Sequence, residues 1–259
     1  MSQLSARERI ILSIDTSRRQ DAERLAAVAQ AAGARFVKMG LELSSAESWL
    51  YCSRLAHRHR LDWVADAKLD DISHTVAGKG TKDNGGTVRN IAGLAYPPFG
   101  ITIHTSVGLE AMRKAQQVAG DIKMLGVTVL TSISDEECHA MYGPEFDPAQ
   151  PPSAEVMAAF RRATVMRRAR SAAKAGLAGF VSSPLEVGMI KSDSETQELF
   201  AMIPGTRSAG VDRGDQNRVA TPGEAIQDGA DLLVVGRQIT QAEDPAAAYQ
   251  ALVTEIEAV

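Results

Sequence analysis

The sequence predicts an α/β protein, a single (β/α)8 barrel over residues 1–259. Three observations predict it. Short apolar runs alternate with stretches of helical periodicity, the pattern of parallel strands joined by right-handed crossovers. The length, 259 residues, is close to the roughly 250 that such a barrel needs. Charged or hydroxyl residues close several of the apolar runs, and the C-terminal strand ends of such a barrel gather at one mouth. The competing architecture is an open doubly wound sheet. No G-x-G-x-x-G turn follows the first run, and Gly78-Lys79-Gly80 lacks the spacing of a phosphate-cradling Walker loop.

In chain order, Ile10-Ile11-Leu12-Ser13-Ile14 is the first strand and ends at Asp15. Leu25, Val28, Ala29 and Ala32 recur at helical spacing over 21–32, and Gly33 stops that helix. Phe36-Val37 is the second strand, running into Lys38-Met39-Gly40, and one helix is predicted over 45–60. Trp63-Val64-Ala65 is the third strand. Residues 77–87 are polar and glycine-rich and read as an inserted loop before a helix over 88–94; Tyr96-Pro97-Pro98 then breaks the chain. Ile101-Thr102-Ile103-His104 is the fourth strand, 108–118 a helix, and 123–130 the fifth strand, ending at Thr131-Ser132. A proline-rich link over 147–152 leads to a long helix over 153–175 that Gly176 stops. Gly179-Phe180-Val181 is the sixth strand, ending at Ser182-Ser183, and 200–203 the seventh, ending at Pro204-Gly205. After a long polar loop, 206–220, the run Thr221-Pro222-Gly223-Glu224 opens a helix. It has a capping threonine, a proline at the first helical position and a glutamate three residues after the cap. Leu232-Leu233-Val234-Val235 is the eighth strand, ending at Gly236-Arg237, and Asp244-Pro245 starts the last helix, to 258.

The hydrophobic fraction, 44%, and net charge, −4, are those of an ordinary globular chain. No basic tail or stripe marks a nucleic-acid partner. Arg161, Arg162, Arg167, Arg168 and Arg170 cluster at helical spacing and read as a solvated face. Residues 1–9 lack the apolar stretch of a secretory signal, and no apolar run reaches the roughly 18 residues of a membrane helix. Cys52 and Cys138 belong to no C-x-x-C pair and read as packed or surface thiols. The expectation is a reduced, cytoplasmic protein without membrane or nucleic-acid partners. His57 and His59 are two apart on a helix, and His74, His104 and His139 are scattered, so the histidines compose no metal site. His104, at a strand end, is open between a structural and a substrate-lining role; His139 is expected at the surface. Trp49 and Trp63 read as core or interface residues.

The stretch Ala65-Asp66-Ala67-Lys68-Leu69-Asp70-Asp71-Ile72 carries the chemistry. Its acids hold the charge of Lys68, which becomes a fixed proton donor beside a negative wall. That suits chemistry at a carbon atom without a metal or organic cofactor. Asp15, Lys38, Asp66 and Lys68 all fall at neighbouring strand ends, and clustered charges of this kind tune one another. Gly236-Arg237 offers backbone N–H groups and a guanidinium fork to an anion, at the usual phosphate site of such barrels. Loop 206–220 holds Arg207, Arg213, Gln216 and Arg218. Its length exceeds the common range and reads as a lid that closes on phosphate and excludes water.

The D-x-K-x-x-D-I run of Asp66, Lys68, Asp71 and Ile72 resembles the signature of the orotidine 5'-phosphate decarboxylase family. The resemblance spans the chain in order: Asp15, the stretch Phe36-Val37-Lys38-Met39-Gly40, the stretch Val127-Thr128-Val129-Leu130-Thr131-Ser132, then Pro204-Gly205 with Arg207, Gln216 and Arg218, and Val234-Val235-Gly236-Arg237. It departs at Ser73-His74 before Thr75, at Leu69-Asp70, at Thr206, and in the 77–87 insertion. The resemblance implies cofactor-independent decarboxylation of orotidine 5'-monophosphate to UMP in pyrimidine biosynthesis. Lys68 would protonate C6, with Asp66 and Asp71 flanking it. Asp15 and Lys38 would bind ribose hydroxyls, Lys38 also pairing with Asp66. Thr131 or Ser132 would meet the pyrimidine edge, and Arg207, Gln216, Gly236 and Arg237 the phosphate. Asp71 and Ile72, with Thr75 among the substrate contacts, would reach the site of a partner subunit in a homodimer.

Two other readings stand beside it. A magnesium-dependent enzyme of the same suprafamily would process 3-keto sugar phosphates, with Glu42 as a ligand. A non-catalytic barrel would bind a nucleotide or sugar phosphate. Lys68 argues against the latter, since a binder needs no proton donor between two acids.

Overall fold

A computed structural model describes residues 4–78, 85–146, 149–210 and 220–259. Its parallel strands close into a barrel in sequence order. They are β1 (Ile10–Ile14), β2 (Phe36–Gly40), β3 (Asp62–Leu69), β4 (Gly100–His104), β5 (Lys123–Val127), β6 (Gly179–Val181), β7 (Phe200–Pro204) and β8 (Leu232–Val235). The seam pairs Ile11 of β1 with Val234 of β8.

Strand side chains alternate between faces, and here the two faces build two cores. Ile10, Leu12, Val37, Trp63, Ile101, Phe180, Ile203 and Leu233 pack outward against helix residues such as Leu25, Leu55, Met112, Val165 and Leu252. Ile11, Phe36, Val64, Leu125, Phe200, Met202, Leu232 and Val234 fill the interior. Phe99 closes that floor, its ring 4.9 Å from Phe36 and 5.7 Å from Phe200. Burying each of these large side chains contributes about 1.5–3 kcal/mol. Two residues further along the same inner faces, Ile11 gives way to Ser13, Phe36 to Lys38 and Val64 to Asp66. The barrel therefore has a dry floor and a polar upper storey.

The helices are α1 (Arg19–Ala31), α2 (Leu41–Glu47), α3 (Trp49–Arg58), α4 (Ser73–Ala77), α5 (Thr87–Ala92), α6 (Leu109–Ala119), α7 (Asp135–Tyr142), α8 (Ala154–Ala175), α9 (Val187–Lys191), α10 (Pro222–Gln227), α11 (Arg237–Thr240) and α12 (Pro245–Glu257). The capping box at Thr221 and Glu224 and the Asp244 cap form as their residue types dictate. None of the described helices is long and apolar enough to cross a membrane.

Several expectations need correction. The single helix over 45–60 is two, because Ser48 takes a φ of 99° and caps α3 by accepting from the Tyr51 N–H. Strand three does not stop at Ala65 but runs to Leu69, so Asp66 and Lys68 sit on the strand itself. Strand five ends at Val127 rather than 130, since its neighbour β6 is only three residues long. Helix α7 was not anticipated, although its Ser134–Glu137 capping box is written in the sequence. With α7 in place His139 is buried, its ring against Phe146 and Phe160. The arginines of α8 divide. Arg162, Arg167 and Arg170 are exposed, but Arg161 is buried between Asp135 and Glu186. Arg168 donates to the Thr128 carbonyl and lies over the Tyr142 ring at 4.1 Å. Arg213, Gln216 and Arg218, most of the 77–87 insertion, and residues 147–148 of the link lie outside the described residues.

Candidate active site

A cavity of about 570 Å3 opens at the C-terminal ends of the strands. Its charged wall comes from β1, β2 and β3. Lys38, inward on β2, places its Nζ 2.9 Å from Asp15 Oδ1 and 3.0 Å from Asp66 Oδ2. Lys68 Nζ stands 2.6 Å from the same Asp66 oxygen. Ser13 Oγ donates to the other oxygen of Asp15 at 2.7 Å. The result is a chain of alternating charge: Asp15, Lys38, Asp66, Lys68. Gly40 leaves room for it, since a Cβ there would meet Asp15 Oδ1 at 3.4 Å and Lys38 Nζ at 3.6 Å.

Lys38 and Asp66 are 7% and 6% exposed, so water screens them little and each depends on the other. Burial alone would raise the Asp66 carboxyl, but the ammonium groups of Lys38 and Lys68 outweigh it and hold the group well below the usual carboxylate range. Burial alone would lower the Lys38 ammonium. The charges of Asp66 and Asp15 outweigh that too, and its pKa is raised. Both groups are therefore ionised at neutral pH.

The opposite wall is built differently. Val127, Val181, Met202 and Val234 line it from β5 to β8, and polar groups come from the segments beyond the strands. These are Thr131 and Ser132 after β5, Ser182 after β6, Gly205 and Arg207 after β7, and Gly236, Arg237, Thr240 and Gln241 after β8. Behind this wall Ser182 Oγ donates to Glu186 at 2.7 Å, and Glu186 in turn pairs with Arg161. The two ends of loop 206–220 are tied by a bridge between Thr206 and Ala220, with the Arg207 N–H donating to the Ala220 carbonyl at 3.0 Å.

Of the residues singled out in the sequence, the cavity thus gathers Asp15, Lys38, Asp66, Lys68, Thr131, Ser132, Arg207, Gly236 and Arg237. It does not gather Asp71, Ile72 or Thr75, which are exposed. Asp71 does not flank Lys68 within this chain. Its Oδ1 accepts from the Ile72 N–H at 2.7 Å, and Ile72 is 68% exposed. His104 is half-buried and is not among the lining residues; burial lowers its imidazole pKa against a partial upward pull from Asp70. Ser13, Ser182, Thr240 and Gln241 were missed. Ser13 was open to discovery, because it lies between Ile11 and Asp15 on the inward period of β1.

The profile of the Orotidine 5'-phosphate decarboxylase / HUMPS family matches residues 8–252. The chain belongs to that family. An orotidine 5'-phosphate decarboxylase of Thermobifida fusca is 36% identical over 96% of this chain and 95% of its own length. One of Anaeromyxobacter dehalogenans is 38% identical over 95% of this chain and 96% of its own length. Among solved structures, the Lactobacillus acidophilus orotidine 5'-phosphate decarboxylase superposes with a TM-score of 0.73 at 25% identity, covering 96% of this chain and 99% of that one. Family membership and the closed barrel agree with the sequence reading.

Proposed function

We propose that this chain decarboxylates orotidine 5'-monophosphate to UMP, the last step of pyrimidine biosynthesis, with Lys68 delivering the proton that replaces the carboxylate. The observation that carries the reading is the contact of Lys68 Nζ with Asp66 at 2.6 Å on the wall of a cavity whose far side presents Gly236 and Arg237. The curated relatives named for this activity support it.

In the proposed reaction the bond from C6 to the carboxylate breaks, CO2 leaves, and the bonding pair stays on C6. The Lys68 ammonium stabilises that charge as it develops and then gives its proton to C6, leaving a neutral amine that solvent reprotonates. Asp66 is ionised, so a second carboxylate beside it is repelled, and the repulsion is relieved as CO2 departs. Binding energy from remote groups supports the step. Arg207, Gln216, Gly236 and Arg237 would hold phosphate, Asp15 and Lys38 the ribose hydroxyls, and Thr131 or Ser132 the pyrimidine edge. Loop 206–220 would close over the phosphate. Asp71, Ile72 and Thr75 would complete the cavity of a second copy in a homodimer, which would also cover the exposed Ile72.

Incubating the protein with orotidine 5'-monophosphate in EDTA, and following the loss of its ultraviolet absorbance, tests the reading. Stoichiometric conversion to UMP and CO2 is expected. Absence of decay at high enzyme concentration overturns it, and full activity in EDTA excludes the magnesium-dependent reading.

A further inference from the structure

Strands β3 and β4 are paired out of step. Ala65 stands opposite Ile101, and Leu69 opposite Ile103. Asp66, Ala67 and Lys68 thus share a single counterpart on β4, Thr102. Extra residues of this kind form a bulge, which leaves backbone groups outside the ladder and re-aims side chains. Lys68 also has a φ of 43°, in the left-handed region that a residue with a Cβ enters only under constraint.

One hydroxyl takes up what the bulge leaves over. The Lys68 N–H donates to Thr102 Oγ1 at 2.8 Å, and the same Oγ1 donates to Asp66 Oδ1 at 2.9 Å. Thr102 is fully buried and does not line the cavity. Its hydroxyl occupies one oxygen of Asp66, so the other, Oδ2, faces both Lys38 at 3.0 Å and Lys68 at 2.6 Å. It also holds the Lys68 backbone in the turn that brings the ammonium back to a carboxylate only two residues earlier.

We propose that Thr102 is a positioning residue: its hydroxyl clips the β3 bulge and thereby sets where the Lys68 ammonium stands in the cavity. This rests on the functional reading above. Valine has nearly the same shape but no hydroxyl, so it leaves the Lys68 N–H and Asp66 Oδ1 without this partner in a buried place, which is costly. The bulge then relaxes and the ammonium moves. A threonine kept only as a good strand former would behave otherwise, because valine forms strands equally well.

The test compares Thr102→Val and Thr102→Ser with the native protein, using Thr102→Ala if the valine variant does not fold. A misplacement on the scale of 1 Å costs about 100-fold, so kcat on orotidine 5'-monophosphate should fall about 100-fold in Thr102→Val. Thr102→Ser should keep native kcat, and the Kd of UMP should be unchanged in both. The Lys68 amide supplies a readout that needs no turnover: its hydrogen exchange should be slow in the native and serine proteins and faster in the valine variant. Native kcat in Thr102→Val, serine failing as badly as valine, or equal amide exchange in all three overturns the proposal. A native protein inactive on orotidine 5'-monophosphate overturns the functional reading instead, and the amide exchange still decides the role of Thr102.

Discussion

The two walls of the cavity are made by different means. On the β1–β4 side the polar groups sit on the strands or directly after one: Ser13, Lys38, Asp66 and Lys68 at inward positions, Asp15 just past β1, and Thr102 buried behind them. They hold one another through contacts of 2.6–3.0 Å. On the β5–β8 side the inward positions nearest the mouth are apolar, with Val127, Val181, Met202 and Val234, and the polar groups of the wall belong to loops and helix starts. Groups on rigid strands are placed more accurately than groups on loops. Proton delivery needs accuracy of that kind; gripping a flexible phosphate tail and admitting substrate do not. On the proposed function, the first half of the chain would carry the chemistry and the second the anchorage.

If that division holds, the walls should fail in different kinetic constants. The largest effect belongs to Lys68→Ala. General acid catalysis is worth roughly 10²–10⁴-fold, so kcat should drop by about a thousandfold while UMP still binds, as measured by steady-state kinetics and calorimetry. A Lys68→Ala enzyme with near-native kcat would erase the distinction. Arg237→Ala should act on the other constant. A charge-assisted hydrogen bond contributes about 1.5–3 kcal/mol, so KM should rise by between about ten- and a hundredfold, with the loss in kcat much the smaller. An equal loss in kcat alone would place the guanidinium in the chemistry and not in the anchorage.

The smallest effect is a pH dependence of stability that sharpens the picture of the charged wall. Asp66 has a depressed pKa, so its stabilising contribution is present above the ordinary carboxylate value of about 4 and is lost as pH falls below it. Lys38 has a raised pKa, so its contribution is present below the ordinary lysine value of about 10.4 and is lost as pH rises through the raised one. Urea midpoints should therefore fall more steeply from about pH 5 to pH 3 in the native protein than in Asp66→Asn. Parallel curves would mean that the pair contributes nothing to folding.

Much of this was legible in local sequence. Alternation of apolar residues located the strands, and the residues closing the first three of them named the charged wall. Thr221-Pro222-Gly223-Glu224 and Asp244 announced their helices, because a cap is a contact between residues two or three apart. Arg161 and His139 misled, since a polar side chain on a helix is exposed by default. Their burial depends on Asp135 and Glu186, 26 and 25 residues from Arg161 in sequence, and on the ring of Phe160. Helices α4, α9 and α11 were missed because four or five residues are too few to show a period.

By itself the sequence determined the barrel, the order of its strands, and the side chains that face inward, because period and capping are properties of a few consecutive residues. Only the tertiary structure decided which inward groups meet. Register brings Lys38 to Asp66, and the irregular pairing of β3 with β4 brings the Thr102 hydroxyl to Lys68, 34 residues away. A slip of one residue in that register would turn these side chains to the other face. The local pattern names the groups; their partners follow from how neighbouring strands are aligned.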